Sequence, residues 1–168
     1  MRIVPVTEPA QVEQIRRLFQ EYWDSFDFTP CFQNFSAEVA ALPGDYAPPG
    51  GVLGLVLVGN EPAGCAALRR VDGERCEAKR LYVRPGFRGQ GLGKALLDWV
   101  TAQARAMGYR EIVGDTMPVM SLALEMYYRA GFERTGPYAA DPTPGAIYIR
   151  LRLGGAGDSP AGEPRKNT

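Results

Sequence analysis

Between Ala78 and Ala95 the chain carries Lys79, Arg80, Arg84, Arg88 and Lys94 and no carboxylate. Within that run lies Arg88-Gly89-Gln90-Gly91-Leu92-Gly93-Lys94. Glycine lets a main chain come close to an anion, and the first N–H groups of a helix have no partner inside it. A strand ahead of these glycines and a helix behind them therefore make a phosphate cradle, of a size for a pyrophosphate. The bland alternative is a tight strand-to-helix turn, but three glycines in the five residues Gly89–Gly93 exceed what such a turn needs. Other chemistries are excluded by composition. The chain has no histidine, which rules out Ser-His-Asp and Cys-His nucleophiles and any histidine-ligated metal. Cys31, Cys65 and Cys76 are too widely spaced for a metal site and read as reduced thiols of a cytoplasmic protein.

Spacing separates three kinds of phosphate loop. A dinucleotide fingerprint, G-x-G-x-x-G, is met by Gly89 and Gly91 but finds Lys94 in third place. A Walker loop, G-x-x-x-x-G-K-[ST], is met by Gly93-Lys94 but begins on Arg88 and ends on Ala95. The pattern Q/R-x-x-G-x-G/A is met throughout, by Arg88, Gly91 and Gly93.

The elements that must position this loop can be read in order. Arg2–Val6 reads as a strand, and Thr7 as the cap of a helix carrying Val12, Ile15, Leu18, Phe19 and Tyr22 on one face. An irregular aromatic stretch, 26–35, precedes a short helix capped by Ser36. Val52–Val58 and Pro62–Leu68 form a hairpin about Gly59-Asn60, and Glu77–Val83 is the strand that enters the glycine loop. Leu92, Ala95, Leu96, Trp99, Val100 and Met107 mark the next helix, stopped by Gly108. A strand over Glu111–Asp115 and a helix over Ser121–Ala130 follow. Phe132–Tyr138 and Ile147–Leu153 then close the chain as a strand pair about a proline loop, Asp141–Gly145. The expected fold is α/β (α+β): a mixed, mostly antiparallel central sheet flanked by helices, in the order β-α-α-β-β-β-α-β-α-β-β. Residues 1–153 form one domain and 154–168 a flexible tail.

Two segments carry a family resemblance. One runs from Glu77 through the strand to Gly93. The other is Ala123-Leu-Glu-Met-Tyr-Tyr-Arg-Ala-Gly-Phe132, which is similar to an A-x-x-L-Y-x-x-x-G-F pattern. With the element order, they make residues 1–153 resemble the GNAT superfamily of acetyl-CoA-dependent N-acetyltransferases. The resemblance implies acetyl-CoA as cosubstrate and no metal. Leu81, Tyr82 and Val83 would hold its pantetheine arm by main-chain bonds, and one of their N–H groups would polarise the thioester carbonyl. Arg88, Gly89, Gln90, Gly91, Leu92, Gly93 and Lys94 would hold the pyrophosphate. Met120 stands where many members carry an asparagine, so some cofactor contacts must differ; the backbone over Asp115–Met117 is a candidate substitute.

The chemistry so implied needs a neutral amine. An alkylamine with a pKa of about 10.4 is almost wholly protonated near pH 7, so a base must collect a proton. Glu77 is the candidate base; the alternative is a carboxylate that merely pairs with Lys79 or a neighbouring strand. Tyr127, four residues before Gly131, is the candidate acid for the departing thiolate; the alternative is a core aromatic. Cys76 is a poor covalent rival, because alternation points it away from Glu77. The partner is a small-molecule or peptide amine, received by Glu21, Asp24, Asp27 or Asp141 and the aromatics Phe26, Phe28, Phe32, Phe35 and Tyr138, unless these are surface and core. Zero net charge and the lack of a long apolar run argue against nucleic acid and membrane partners; a homodimer is left open. A non-catalytic acetyl-CoA-binding sensor is the alternative function.

Overall fold

The computed structural model describes residues 1–26 and 34–154. It contains β1 (Arg2–Pro5), α1 (Pro9–Asp24), α2 (Phe35–Ala40), β2 (Val52–Val58), β3 (Glu61–Arg70) and β4 (Arg75–Val83). These are followed by α3 (Leu92–Ala106), β5 (Glu111–Thr116), α4 (Ser121–Arg129), β6 (Glu133–Thr135) and β7 (Ile147–Arg152). This is the expected order. The strands form one sheet, β1-β2-β3-β4-β5-β7-β6, antiparallel except between β4 and β5. Among the described residues no helix is long and apolar enough to cross a membrane.

Strand alternation divides two cores between the faces of the sheet. Val52, Val56, Ala66, Leu68 and Cys76 pack with Leu96, Leu97 and Val100 of α3. Leu53, Leu55, Leu57, Cys65 and Ala67 pack with Ile15, Leu18 and Phe19 of α1 and with Phe35. Burial on both faces explains why β2 reads as an unbroken apolar run. Gly54 is the exception that packing requires: a Cβ there would lie 2.4 Å from the Trp99 ring. In β7, Ile149 is buried in the α3-side core with Ile147 and Leu151 against it, as the alternation predicts, and Leu153 just past the strand joins them.

Several local expectations are corrected. The first helix is entered at Glu8 rather than Thr7, and Gln11 Oε1 reaches back to accept from the N–H groups of Thr7 and Glu8. Helix α2 is entered through Asn34 at φ 66°, which puts Ser36 inside its first turn. The strand expected over Phe132–Tyr138 stops at Thr135, because Gly136-Pro137 follows and proline has no N–H for the ladder. The expected tail beyond Gly154 lies outside the described residues.

One irregularity in β4 shapes everything that follows. Lys79 pairs with Ala67 and Tyr82 with Cys65, so Arg80 and Leu81 together face Ala66 alone. Arg80 takes the extra place in this bulge, at φ 57°. Left-handed backbone costs a non-glycine residue on the order of 1 kcal/mol. In return Arg80 joins Glu77 and Lys79 on the face toward α2, where its Nε donates to Glu38 Oε2 at 2.9 Å. Bulges also bend strands. The parallel β4–β5 pairing covers only Arg75–Glu77 against Glu111–Val113, and from Ala78 onward the two strands part.

Candidate active site

The wedge between β4 and β5 opens into three adjoining spaces. The largest is a groove of about 730 Å³ beside the end of β4. Leu81, Tyr82 and Val83 line it, as do Arg88, Gly89, Gly91, Leu92, Gly93 and Lys94. Gln90 is exposed and stands outside the lining. Across the groove lie Val119, Met120 and Leu122 at the start of α4, and Val119 and Leu122 are 71% and 81% exposed. Large apolar side chains left open beside a groove suit a ligand with an apolar arm.

The glycine turn fits an anion at the far end of this groove. Gly89 and Gly91 have φ values of 76° and 79°, and a Cβ at either would meet nothing within 4 Å, so backbone conformation alone demands glycine. Gly91 immediately precedes α3. Ala95 is the first residue of that helix whose N–H finds a carbonyl, that of Gly91 at 3.0 Å, which leaves the N–H groups of Leu92, Gly93 and Lys94 free. Arg88 departs from its expected part. Its amide already donates to Pro85 O at 3.3 Å, and its Nε donates to Val83 O at 3.0 Å. Only the remaining guanidinium N–H groups are left for an anion.

The second space is a polar cavity of about 420 Å³ on the α2 side of β4. Its lining includes Glu77, Lys79 and Arg80 of β4, Arg69 of β3, Glu38 of α2, Asp115 of β5 and Tyr138 with the proline loop. Glu77 is only 5% exposed. Arg69 Nη2 lies 2.9 Å and Lys79 Nζ 3.1 Å from its Oε1, although that oxygen receives no well-directed hydrogen bond. Tyr138 stands beside the same carboxylate, which adds to burial in holding its phenol well above its ordinary value. The pairing with Lys79 foreseen in the alternative reading is thus present, but on an interior strand and on the wall of a cavity.

A small cavity of about 50 Å³ lies between the two and shares walls with each. It shares Tyr22, Leu81, Met120 and Ala123 with the groove and Lys79, Arg80 and Asp115 with the polar cavity. Tyr127 lines this junction, while Tyr128, the next residue round the helix, is exposed. Burial pushes the Tyr127 phenol well above its ordinary value, and the neighbouring Tyr22 and Asp115 add to the effect. Burial also pushes Tyr22 up to about 12, with Arg80 working against it. Both hydroxyls therefore keep their protons at neutral pH and can donate.

Cys76 faces away, into the α3-side core, and burial pushes its thiol up to about 12. Of the carboxylates expected to receive an amine, only Asp141 among the described residues reaches the polar cavity. Glu21 is held by Arg84 at 2.6 Å, and Asp24 accepts from Gln20 at 2.9 Å. Asp27, Phe28 and Phe32 lie outside the described residues. Phe26 lines the groove, whereas Phe35 stacks on Trp23 at 4.1 Å and lies under Arg80. Sequence reasoning did not single out Glu38 or Arg69 and named Asp115 only for its backbone; that its side chain lines the polar cavity follows from strand pairing that the sequence does not display.

A seven-stranded, mostly antiparallel sheet parted beside a glycine turn defines an acyltransferase scaffold, and comparison agrees. The family model "Acetyltransferase (GNAT) family" matches residues 12–132. A Schizosaccharomyces pombe protein named as an uncharacterized N-acetyltransferase is 35% identical over 153 residues, covering 90% of this chain and 94% of its own. Among solved structures, a GNAT-family acetyltransferase from Staphylococcus aureus superposes with TM-score 0.76 at 18% identity, over 91% of this chain and all of that one. An aminoglycoside 6'-N-acetyltransferase complexed with coenzyme A gives TM-score 0.69 at 16% identity, over 94% of this chain and 100% of its own. The chain belongs to the GNAT acetyltransferase family and is an acyltransferase. Nothing among these relatives supports the non-catalytic alternative.

Proposed function

We propose that the protein moves an acetyl group from acetyl-CoA to a primary amine by direct attack, both substrates being bound at once. The observation that carries this reading is the junction between the groove and the polar cavity, walled by Tyr127. A donor lying in one space and an acceptor in the other would meet only there.

Acetyl-CoA supplies an activated thioester; the rest is done by the chain. Main-chain groups of Leu81, Tyr82 and Val83, released from β5 by the parting of the strands, would align the pantetheine arm as an added strand. The free N–H groups at the start of α3 would hold the pyrophosphate, helped by Arg88 and Lys94. Tyr127 would keep its proton until the thiolate departs. Glu77 would draw the amine's proton through water in the polar cavity, since it lines that space and not the junction itself. Arg69 and Lys79 beside it would hold its side chain in place on the cavity wall. Its reach through water distinguishes it from a residue that binds the amine.

The test is an amine panel. Purified protein is incubated with acetyl-CoA and small alkylamines, amino acids, an aminoglycoside and a short peptide, and free thiol and acetylated product are both measured. Matched release of thiol and acetylamide with at least one amine supports the reading. Thiol release that no amine accelerates contradicts it.

A further inference from the structure

Three charged residues line both the junction and the polar cavity: Lys79, Arg80 and Asp115. Two of them are engaged, Lys79 by Glu77 at 3.1 Å and Arg80 by Glu38 at 2.9 Å. Asp115 alone of the three makes neither a hydrogen bond nor an ion pair through its side chain among the described residues. It lies on β5 opposite Tyr148, two residues past Val113, the last residue to pair with β4. It therefore stands on the wall of the wedge just where the strands have separated. Its charge reaches the Tyr22, Tyr127 and Tyr138 hydroxyls. Asp115 is half-buried and brings a negative charge to the meeting point of the two cavities, with no cation among the described residues paired to it.

Resting on the acetyl-transfer reading, we propose that Asp115 binds the acceptor's ammonium group and sets its nitrogen at the junction. Glu77 is less suited to that task, because Arg69, Lys79 and Tyr138 already surround it. The chemical class of acceptor follows. A primary alkylammonium places one positive charge against one unpaired negative charge. An α-amino acid would bring its own carboxylate to within a few ångströms of Asp115, while the cations that line the junction with it, Lys79 and Arg80, are already paired. The acceptor is thus an amine with no carboxylate on the carbon that bears the nitrogen, whether a small alkylamine or a peptide amine.

The test needs no turnover. Butylammonium and norvaline share one carbon skeleton apart from the α-carboxylate, and each is titrated calorimetrically into the full chain saturated with coenzyme A. Wild-type protein should bind butylammonium at least about tenfold more tightly than norvaline. Asp115→Asn should weaken butylammonium by about tenfold or more, the usual worth of a charge-assisted hydrogen bond. Asp115→Glu should recover part of that loss, and both variants should bind coenzyme A within about twofold of wild type. The proposal is overturned if Asp115→Asn binds butylammonium as tightly as wild type, if norvaline binds as well as butylammonium, or if the wild type binds neither. A parallel fall in coenzyme A affinity in Asp115→Asn also overturns it, because the residue would then be structural. Failure of the wild-type protein to bind coenzyme A would remove the acetyl-transfer reading itself, and this inference with it.

Discussion

Replacing Glu77 by glutamine keeps the size of the side chain and removes its charge, which separates two consequences that the structure ties together. The first is structural. Arg69 Nη2 and Lys79 Nζ, at 2.9 and 3.1 Å from Oε1, would face a neutral amide. Removing one member of a fully buried ion pair costs about 3–5 kcal/mol. The Arg69 and Lys79 side chains are 30% and 15% exposed and can turn partly toward solvent, so a cost of about 2 kcal/mol is the better expectation. In a chain of this length that lowers Tm by about 4–8 °C. The second consequence is chemical. A general base contributes about 10²–10⁴-fold, and one acting through water belongs in the lower part of that range. At pH 7 the variant should therefore turn over about 10²–10³-fold more slowly with saturating acetyl-CoA. As pH rises toward the amine's own pKa of about 10.4, more of the amine is neutral without help, and the gap to wild type should narrow. The assay is thiol release at 25 °C between pH 6.5 and 9.5, with thermal melts on the same samples. A structural loss would slow the enzyme by the same factor at every pH. That flat ratio, or an unchanged rate, would refute the assignment of Glu77 as base.

Other perturbations reach the remaining parts of the site. Tyr127→Phe should lower kcat by about tenfold to a hundredfold and leave the acetyl-CoA KM within about twofold, since the hydroxyl is needed when the thiolate leaves; a large rise in that KM would mark a binding role instead. Because its phenol is held above its ordinary value, the wild-type rate should show no alkaline fall from this residue below pH 9.5, as a pH–rate profile would reveal. Gly91→Ala puts a side chain at φ 79° with room for its Cβ, so backbone strain of about 1–2 kcal/mol should lower Tm by about 2–8 °C. Steady-state kinetics should show the acetyl-CoA KM raised several-fold and the amine KM unchanged. Burial pushes both Cys65 and Cys76 upward, so neither thiol should react with iodoacetamide at pH 8 until the chain is unfolded in urea. Rapid native labelling of Cys76, read by peptide mass spectrometry, would reopen a covalent route.

The groove proposed for the donor is built from residues local in sequence and could be read there. Gly89 and Gly91 lie in one loop with Gly93 in the first turn of α3 just after it, and the strand that feeds them is the one that lines the groove beside them. The polar cavity proposed for the acceptor is assembled from afar. Glu38, Arg69, Asp115 and Tyr138 come from four separate segments and meet only because β3, β4 and β5 are neighbours. The bulge hid one member further. Simple alternation would turn Arg80 away from Lys79, and only the extra residue at φ 57° brings both to the polar cavity. Glu21 and Asp24 lie near the end of α1 as their positions suggest, but Arg84 and Gln20 engage them there, which agrees with the surface alternative.

The central claim is that donor and acceptor meet where β4 leaves β5. A crystal structure of the protein with acetyl-CoA tests it most directly. The pantetheine arm is expected along Leu81–Val83, the pyrophosphate at the start of α3 and the thioester in the small cavity beside Tyr127 and Asp115. A thioester lying outside that cavity, with the junction closed to it, would contradict the account.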